Sequence, residues 1–264
     1  MYWIASYPRS GNTFFRILLK EVYGVHTWEG YGNESPSKVF DHQEHKNKPK
    51  VTFIKTHELP SATEINHEEL KAIYLYRDGR DTAVSSAHHR KNIVKPQSCF
   101  IFNLRTVILA PLKTSFGGWG RHVDEWSEIA IHKIKFEELI ANPQRELEKL
   151  TKVIDLPKPD FSKIPSFKDL KTKNYAYGSG HKKLTQKQQE SRRKKFFRSG
   201  KTGTWKSEIP KDLIDVFHHK NYSQLLKLGY TDVKSSKWVY LKYIQQYCLW
   251  FVGLLKEKLT YRKI

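Results

Sequence analysis

Residues 6–16 read Ser-Tyr-Pro-Arg-Ser-Gly-Asn-Thr-Phe-Phe-Arg, and the fold follows from them. Before them, Met1-Tyr2-Trp3-Ile4-Ala5 is an apolar run of strand type. After them, Phe14-Phe15-Arg16-Ile17-Leu18-Leu19-Lys20 has the spacing of an amphipathic helix. Strand, tight loop, helix is therefore the expected order, with Pro8, Arg9, Ser10, Gly11, Asn12 and Thr13 in the loop. Such a loop aims backbone N–H groups and a helix N-terminus at one point, an arrangement that suits a phosphate. Gly11 allows close backbone approach, Ser10 and Thr13 add hydroxyl donors, and Arg9 adds a fixed positive charge. The G-x-x-x-x-G-K-[ST] spacing of nucleoside triphosphatases is absent from the loop.

Working outward, apolar segments at 2–7, 51–55, 72–76 and 133–136, with a short one near 25–28, read as strands. Helical patterns cover 12–23, 66–70, 80–91, 120–130, 137–154 and 210–228. Asn142-Pro143 marks a break within 137–154. The alternation predicts an α/β fold: a single domain over 1–232 with a central parallel sheet flanked by helices. Residues 29–50 and 171–200, rich in Gly, Asn, Ser, Gln and Lys, read as loops.

The chain of 264 residues carries 47 Lys+Arg against 27 Asp+Glu, a formal charge of +20. That field attracts polyanions, from nucleic acid to anionic lipid to phosphorylated or sulfated ligands. Nucleic acid is not the expected partner, because the basic residues are spread out and no helix-turn-helix, zinc-finger or RNP signature occurs. Cys99 and Cys248 give neither metal-ligand spacing nor a disulfide framework, so no metal is expected and a reducing cytoplasm fits. The opening residues read as a core strand rather than a leader.

Three later segments join the opening loop: Phe-Ile-Lys-Thr-His-Glu-Leu-Pro at 53–60, Ile-Tyr-Leu-Tyr-Arg-Asp-Gly-Arg-Asp-Thr-Ala-Val-Ser at 73–85, and Phe-Phe-Arg-Ser-Gly-Lys-Thr-Gly-Thr-Trp-Lys at 196–206. In this order the four resemble the sulfotransferases that use 3′-phosphoadenosine 5′-phosphosulfate (PAPS), from residue 2 to about residue 230. The resemblance implies a P-loop-kinase-like sulfotransferase fold and transfer of a sulfuryl group to a hydroxyl or amine. His57 is the candidate base: imidazole titrates near neutral pH, and the residue follows a strand at the mouth of the sheet. The resemblance gives it the same role, although Glu58 lengthens the segment before the proline. Lys55, two residues earlier, shares its face in an extended chain and matches the lysine on the transferring sulfonate. Arg9 stands where many members carry lysine, and guanidinium suits electrostatic stabilisation rather than proton donation.

For the donor nucleotide, the resemblance implies Arg9, Ser10, Gly11, Asn12 and Thr13 as the phosphate loop. Arg77 and Ser85 match the clamp on the 3′-phosphate, which Arg198, Ser199 and Gly200 complete, with Ser199 replacing a lysine. The bland alternative for that neighbourhood is a local surface pair of Arg80 and Asp81. Phe14, Phe136 and Phe167 match the rings about the adenine. Gly117-Gly118-Trp119-Gly120-Arg121-His122-Val123 resembles a segment bordering the acceptor pocket, and His88, His89 and His122 are the next candidate bases.

Residues 233–264 form a separate aromatic and basic segment. Trp238, Leu241, Ile244, Cys248, Phe251, Leu255 and Leu259 recur at helical spacing. This helix is expected to dock on the domain by that stripe, to pair two copies, or to lie on a membrane surface. Two other functions stay open: a P-loop-like nucleotide-dependent kinase, and a non-catalytic polyanion-binding protein. The acceptor is expected to be a hydroxylated small molecule, lipid or saccharide.

Overall fold

The computed structural model describes residues 1–29, 51–62, 71–96, 98–109, 116–178, 184–231 and 238–261. The expected helix at 66–70 and most of the expected loop at 29–50 lie outside them. The chain divides into two compact units, one of Met1–Arg77, Ser115–Gly117 and Arg121–Gly200, the other of Asp78–Thr114, Gly118–Gly120 and Lys201–Ile264.

The first unit is built on five parallel strands: β1 (Tyr2–Ser6), β2 (Thr27–Glu29), β3 (Phe53–Thr56), β4 (Ala72–Tyr76) and β5 (Ala130–Lys135), in the order β2-β3-β1-β4-β5. The near-continuous apolar runs of β1 and β4 reflect burial on both faces. Ile4, Phe53, Ile73 and Leu75 pack on one face with Phe15, Leu18 and Leu19 of helix α1 (Asn12–Tyr23). Trp3, Ala5, Ile54, Ala72 and Tyr74 pack on the other with Trp126. Successive residues of β1 thus serve alternate cores, as the period-two pleat requires. Strand β5 is Ala130–Lys135, earlier than the segment at 133–136 that its apolar residues suggest. Its burial alternates, so Ala130 and Ile131 carry a weaker apolar signal than a buried run.

The region expected at 137–154 is two helices, α5 (Phe136–Ala141) and α6 (Pro143–Thr151). Asn142 caps the second, its Oδ1 accepting from Arg145 N at 3.1 Å, with Pro143 in the first turn. The segment 171–200 is not wholly loop. It contains the end of α7 (Phe167–Thr172) and the whole of α8 (Gln186–Phe196). No residue of α8 is buried, so it lacks the apolar stripe that marks a helix in sequence. A capping box between Thr185 and Gln188 starts it instead.

The second unit is helical: α2 (Gly79–His89), α3 (Phe100–Leu109), α9 (Trp205–Glu208), α10 (Lys211–Lys227) and α11 (Val239–Tyr261). Helix α2 runs into one π-helical turn at Arg90–Val94. A further helix, α4 (Trp119–Ile129), begins in this unit and continues in the first. Arg80 and Asp81 do not form a surface pair. Both are buried, and each has its own task. Arg80 grips Asp78 at 2.6 Å, donates to the Tyr230 carbonyl, and lies 3.8 Å over the Trp205 ring. Asp81 accepts from Gly203 N at 2.7 Å, Thr204 Oγ1 at 3.0 Å and Trp205 N at 3.1 Å, fixing the start of α9. A residue that answers three donors from inside the protein is costly to lose. Asp81→Ala is expected to destabilise the chain by about 3 kcal/mol, read as a lower midpoint of urea unfolding with an unchanged slope.

Candidate active site

In the first unit, the candidate residues stand where the parallel strands end. The loop after β1 holds Arg9 to Gly11, His57 follows β3, Arg77 follows β4, and Phe136 follows β5. Strands β3 and β4 flank β1, so the chain changes direction across the sheet beside this loop, where ligands of open parallel sheets bind.

The loop is held by short-range chemistry. Asn12 Nδ2 donates to the Ile4 carbonyl at 3.2 Å and to Ser6 Oγ at 3.1 Å, tying the start of α1 to the end of β1. Arg9 adopts φ 72°, a left-handed conformation uncommon for a side-chain-bearing residue. Its guanidinium donates to the Phe196 carbonyl at 3.0 Å and lies 4.4 Å over the Phe196 ring. Gly11 has φ 98°, and a Cβ there would meet the Phe136 ring at 2.4 Å. Phe136 therefore covers the loop while Arg77 lies 4.5 Å over the same ring. Phe167 packs on Gly200 in the same way: φ is 62°, and a Cβ would meet the ring at 2.6 Å. Phe14 packs at the edge of the main core.

Two buried atoms, Ser10 Oγ in the loop and Asn12 Oδ1 at the start of α1, find no hydrogen-bond partner among the described residues. A buried hydroxyl left in that state fits a group meant to donate to a bound anion. Thr13, Arg198 and Ser199 are half-buried in this unit. Ser85 lies on α2 in the second unit, half-buried.

His57 is fixed by its neighbours. Its Nδ1 lies 2.6 Å from the Ser6 carbonyl oxygen, so Nδ1 carries the proton and Nε2 the lone pair. His122, fully buried, donates from Nε2 to the His57 carbonyl at 3.2 Å and meets Tyr74 Oη through Nδ1 at 3.1 Å. His122 is thus a support for His57. Of the other candidate bases, His88 pairs with Glu208 within the second unit.

The site is cationic: Arg16 and Arg77 are buried, and Arg9, Lys55 and His57 are half-buried. Burial, and the neighbouring Arg77, lower the Arg9 pKa to about 10. Burial also lowers Lys55 to about 8, against the pull of Glu29 and with the push of Arg16. Glu29 lies 3.8 Å from Lys55 and 2.9 Å from Arg16. Burial works against the Glu29 carboxylate, but the Arg16 hydrogen bond and the charges of Lys55 and Arg16 outweigh it and hold its pKa below the ordinary value. Burial first, then Lys55, lowers His57 to about 3, with Arg9 and Arg16 adding to the effect. Burial first, then His57, brings His122 to about 3 as well.

Sequence reasoning missed Ser6, Arg16, Glu29 and Tyr74. Ser6 and Arg16 lie within the decisive stretch, where each reads as a plain strand end or a solvated helix residue. Glu29 closes a three-residue strand and carries no motif. No group of His, Cys, Asp and Glu suited to holding a metal occurs among the described residues.

A family model described as the sulfotransferase domain matches residues 1–229. Sulfotransferase 1A1 of Canis lupus familiaris is 27% identical over 229 residues, covering 77% of this chain and 76% of that protein. Sulfotransferase 1B1 of Mus musculus is 28% identical over 211 residues, covering 72% and 68%. Among solved structures, mouse sulfotransferase SULT7A1 complexed with PAP superposes with a TM-score of 0.64 at 22% identity, covering 87% of this chain and 89% of that one. Retinol dehydratase in complex with androsterone and the inactive cofactor PAP gives 0.55 at 19% identity, covering 89% and 82%.

Two imidazoles, His57 half-buried and His122 fully buried, set an acid sensitivity. Both are neutral in the folded protein down to about pH 3, whereas their ordinary value is 6.5. The unfolded chain therefore binds more protons in that window, so stability rises with pH across it and is lost as pH falls below 6.5. Each imidazole contributes a slope of at most about 1.4 kcal/mol per pH unit. His57→Asn is expected to flatten the acid limb of the unfolding free energy by up to that amount. Parallel limbs in the two proteins would show that His57 takes up its proton in the folded state.

Proposed function

We propose that this chain, which belongs to the sulfotransferase family, takes its sulfuryl group from PAPS and passes it to a hydroxyl or amine of a small molecule, lipid or saccharide. What carries the reading is a neutral His57 of defined tautomer beside Lys55, in a half-buried cationic shell that includes Arg9. Sulfuryl transfer needs a grip on an anionic donor, a base for the acceptor proton, and positive charge where the leaving phosphate develops its own. The donor supplies an activated sulfuryl group. His57 Nε2 takes the acceptor proton as the acceptor oxygen attacks sulfur in line. Lys55 meets the equatorial oxygens, and Arg9, held by the Phe196 carbonyl, meets the phosphate side. Ser10 Oγ, Gly11, Asn12 and Thr13 receive the 5′-phosphate. Arg77, Ser85, Arg198, Ser199 and Gly200 receive the 3′-phosphate. Phe14, Phe136 and Phe167 border the adenine.

A small alcohol as acceptor is supported by retinol dehydratase, whose solved complexes hold androsterone and retinol. Two free thiols, Cys99 and Cys248, suit a cytoplasmic setting. The chemistry is expected to need no metal, with Arg9 and Lys55 meeting the negative charge.

Calorimetric titration is expected to give tighter binding of 3′-phosphoadenosine 5′-phosphate than of ADP, which lacks the 3′-phosphate. Equal affinities would remove the assignment of Arg77, Ser85 and Arg198. Transfer from labelled PAPS to a panel of phenols, alcohols, lipids and sugars tests the activity itself. With an acceptor in hand, His57→Ala is expected to lower turnover at least about a hundredfold while nucleotide affinity stays near that of the parent. Arg9→Lys is expected to retain more activity than Arg9→Ala, because lysine keeps the charge although it gives up the planar fork that meets the Phe196 carbonyl and ring.

A further inference from the structure

Helix α11 is turned inside out. It packs against α10 and α3 within the second unit, yet not by its most apolar stripe. Toward the unit it presents Val239, Lys242, Gln246, Trp250, Gly253 and Glu257. Lys242 bridges Asp212 at 3.1 Å and also pairs with Asp215. Gln246 accepts from Arg105 at 2.9 Å, Trp250 Nε1 donates to Thr106 at 3.1 Å, and Glu257 pairs with Lys95 at 2.5 Å. A Cβ on Gly253 would meet the Phe102 ring at 2.5 Å.

The expected stripe is the one left outside as far as Leu255, Leu259 lying beyond the described side chains. Leu241 is 62% exposed, Ile244 60%, Phe251 52% and Leu255 47%, against 7% for Trp250. Trp238, Tyr240, Tyr247 and Val252 widen the same exposed surface. From Tyr243 to Leu255 the helix carries no charge, and its acidic residue, Glu257, is taken up by Lys95. A contiguous apolar surface of this kind marks an interaction site.

We propose that this face of α11 lies on an anionic lipid surface. The argument for that occupant is charge. Residues 233–264 hold seven Lys and Arg residues and one acidic residue. Lys234 and Lys237 precede the apolar run, and Lys256, Lys258, Arg262 and Lys263 follow it. Two copies meeting by this face, parallel or antiparallel, would stack basic ends on basic ends, whereas an anionic headgroup layer answers both ends at once. Tryptophan and tyrosine at the exposed face suit the boundary between headgroup and acyl chain. The run of thirteen uncharged residues spans about 20 Å as helix, short of the hydrocarbon thickness of about 30 Å. No helix among the described residues is long and apolar enough to cross a membrane. The helix therefore lies along the surface. This proposal does not depend on the sulfotransferase reading.

The test is sedimentation of the full chain with vesicles of phosphatidylserine and phosphatidylcholine in equal parts, and with phosphatidylcholine alone. Binding is expected to the anionic vesicles, to weaken as salt rises, and to fall at least about tenfold in Ile244→Glu/Phe251→Glu. These side chains are exposed, so the variant's melting temperature is expected to stay near the parent's. A second measurement needs no charged variant: brominated acyl chains are expected to quench tryptophan emission of the parent, and less in Trp238→Phe. Absence of vesicle binding, equal binding of parent and double variant, or absence of quenching would overturn the proposal. A concentration-dependent dimer that the double substitution dissolves, without vesicle binding, would overturn it in favour of a second copy.

Discussion

Buried positive charge is the constraint on which the first unit depends. Arg9, Lys55 and Arg16 all act on His57 where the strands end. Removing cations from water is costly unless each finds a partner. The fold meets that cost locally: Glu29 for Arg16 and Lys55, the Phe196 carbonyl and ring for Arg9, the Phe136 ring for Arg77. These partners lie on β2, α8 and α5, well apart in sequence. The charges therefore bind distant segments to one place.

The same constraint explains what could be read from the chain. Strands β1 and β4 and helix α1 are legible because burial on both sheet faces leaves continuous apolar runs, and the loop between β1 and α1 has a recognisable composition. Gly11 is legible as a close-approach residue, and the Phe136 ring is what approaches. The partners of the charges are not legible. Glu29 ends a three-residue strand, and the Phe196 contribution is a backbone carbonyl, which every residue possesses.

Helices α8 and α11 mark the limit of periodicity from opposite sides. Helix α8 is held by a capping box and has no buried residue, so no apolar stripe announces it. Helix α11 announces itself fully, yet its stripe faces outward because Lys242, Gln246, Trp250 and Glu257 find specific partners on the unit. Periodicity reports that a helix has two unlike faces. Which face turns inward depends on partners elsewhere in the chain, and the burial of Arg80 and Asp81, which read as surface residues, follows the same rule.

The acid–base chemistry of His57 follows from the buried charge as well. Neutral imidazole is the form a base must have, and burial with Lys55, Arg9 and Arg16 nearby secures it. The same surroundings make it a weak base, since protonation would add a further positive charge. On the proposed reading, a bound anion changes that balance. Negative charge between Arg9 and Lys55 offsets their repulsion of an imidazolium, so the basicity of His57 rises when the donor is in its site. The Ser6 carbonyl works in the same direction, because it stabilises the Nδ1–H that an imidazolium retains. One set of cations would then grip the donor and keep His57 unprotonated until that donor arrives. The proton acceptor and the anion grip would be a single electrostatic unit, built where the parallel strands end.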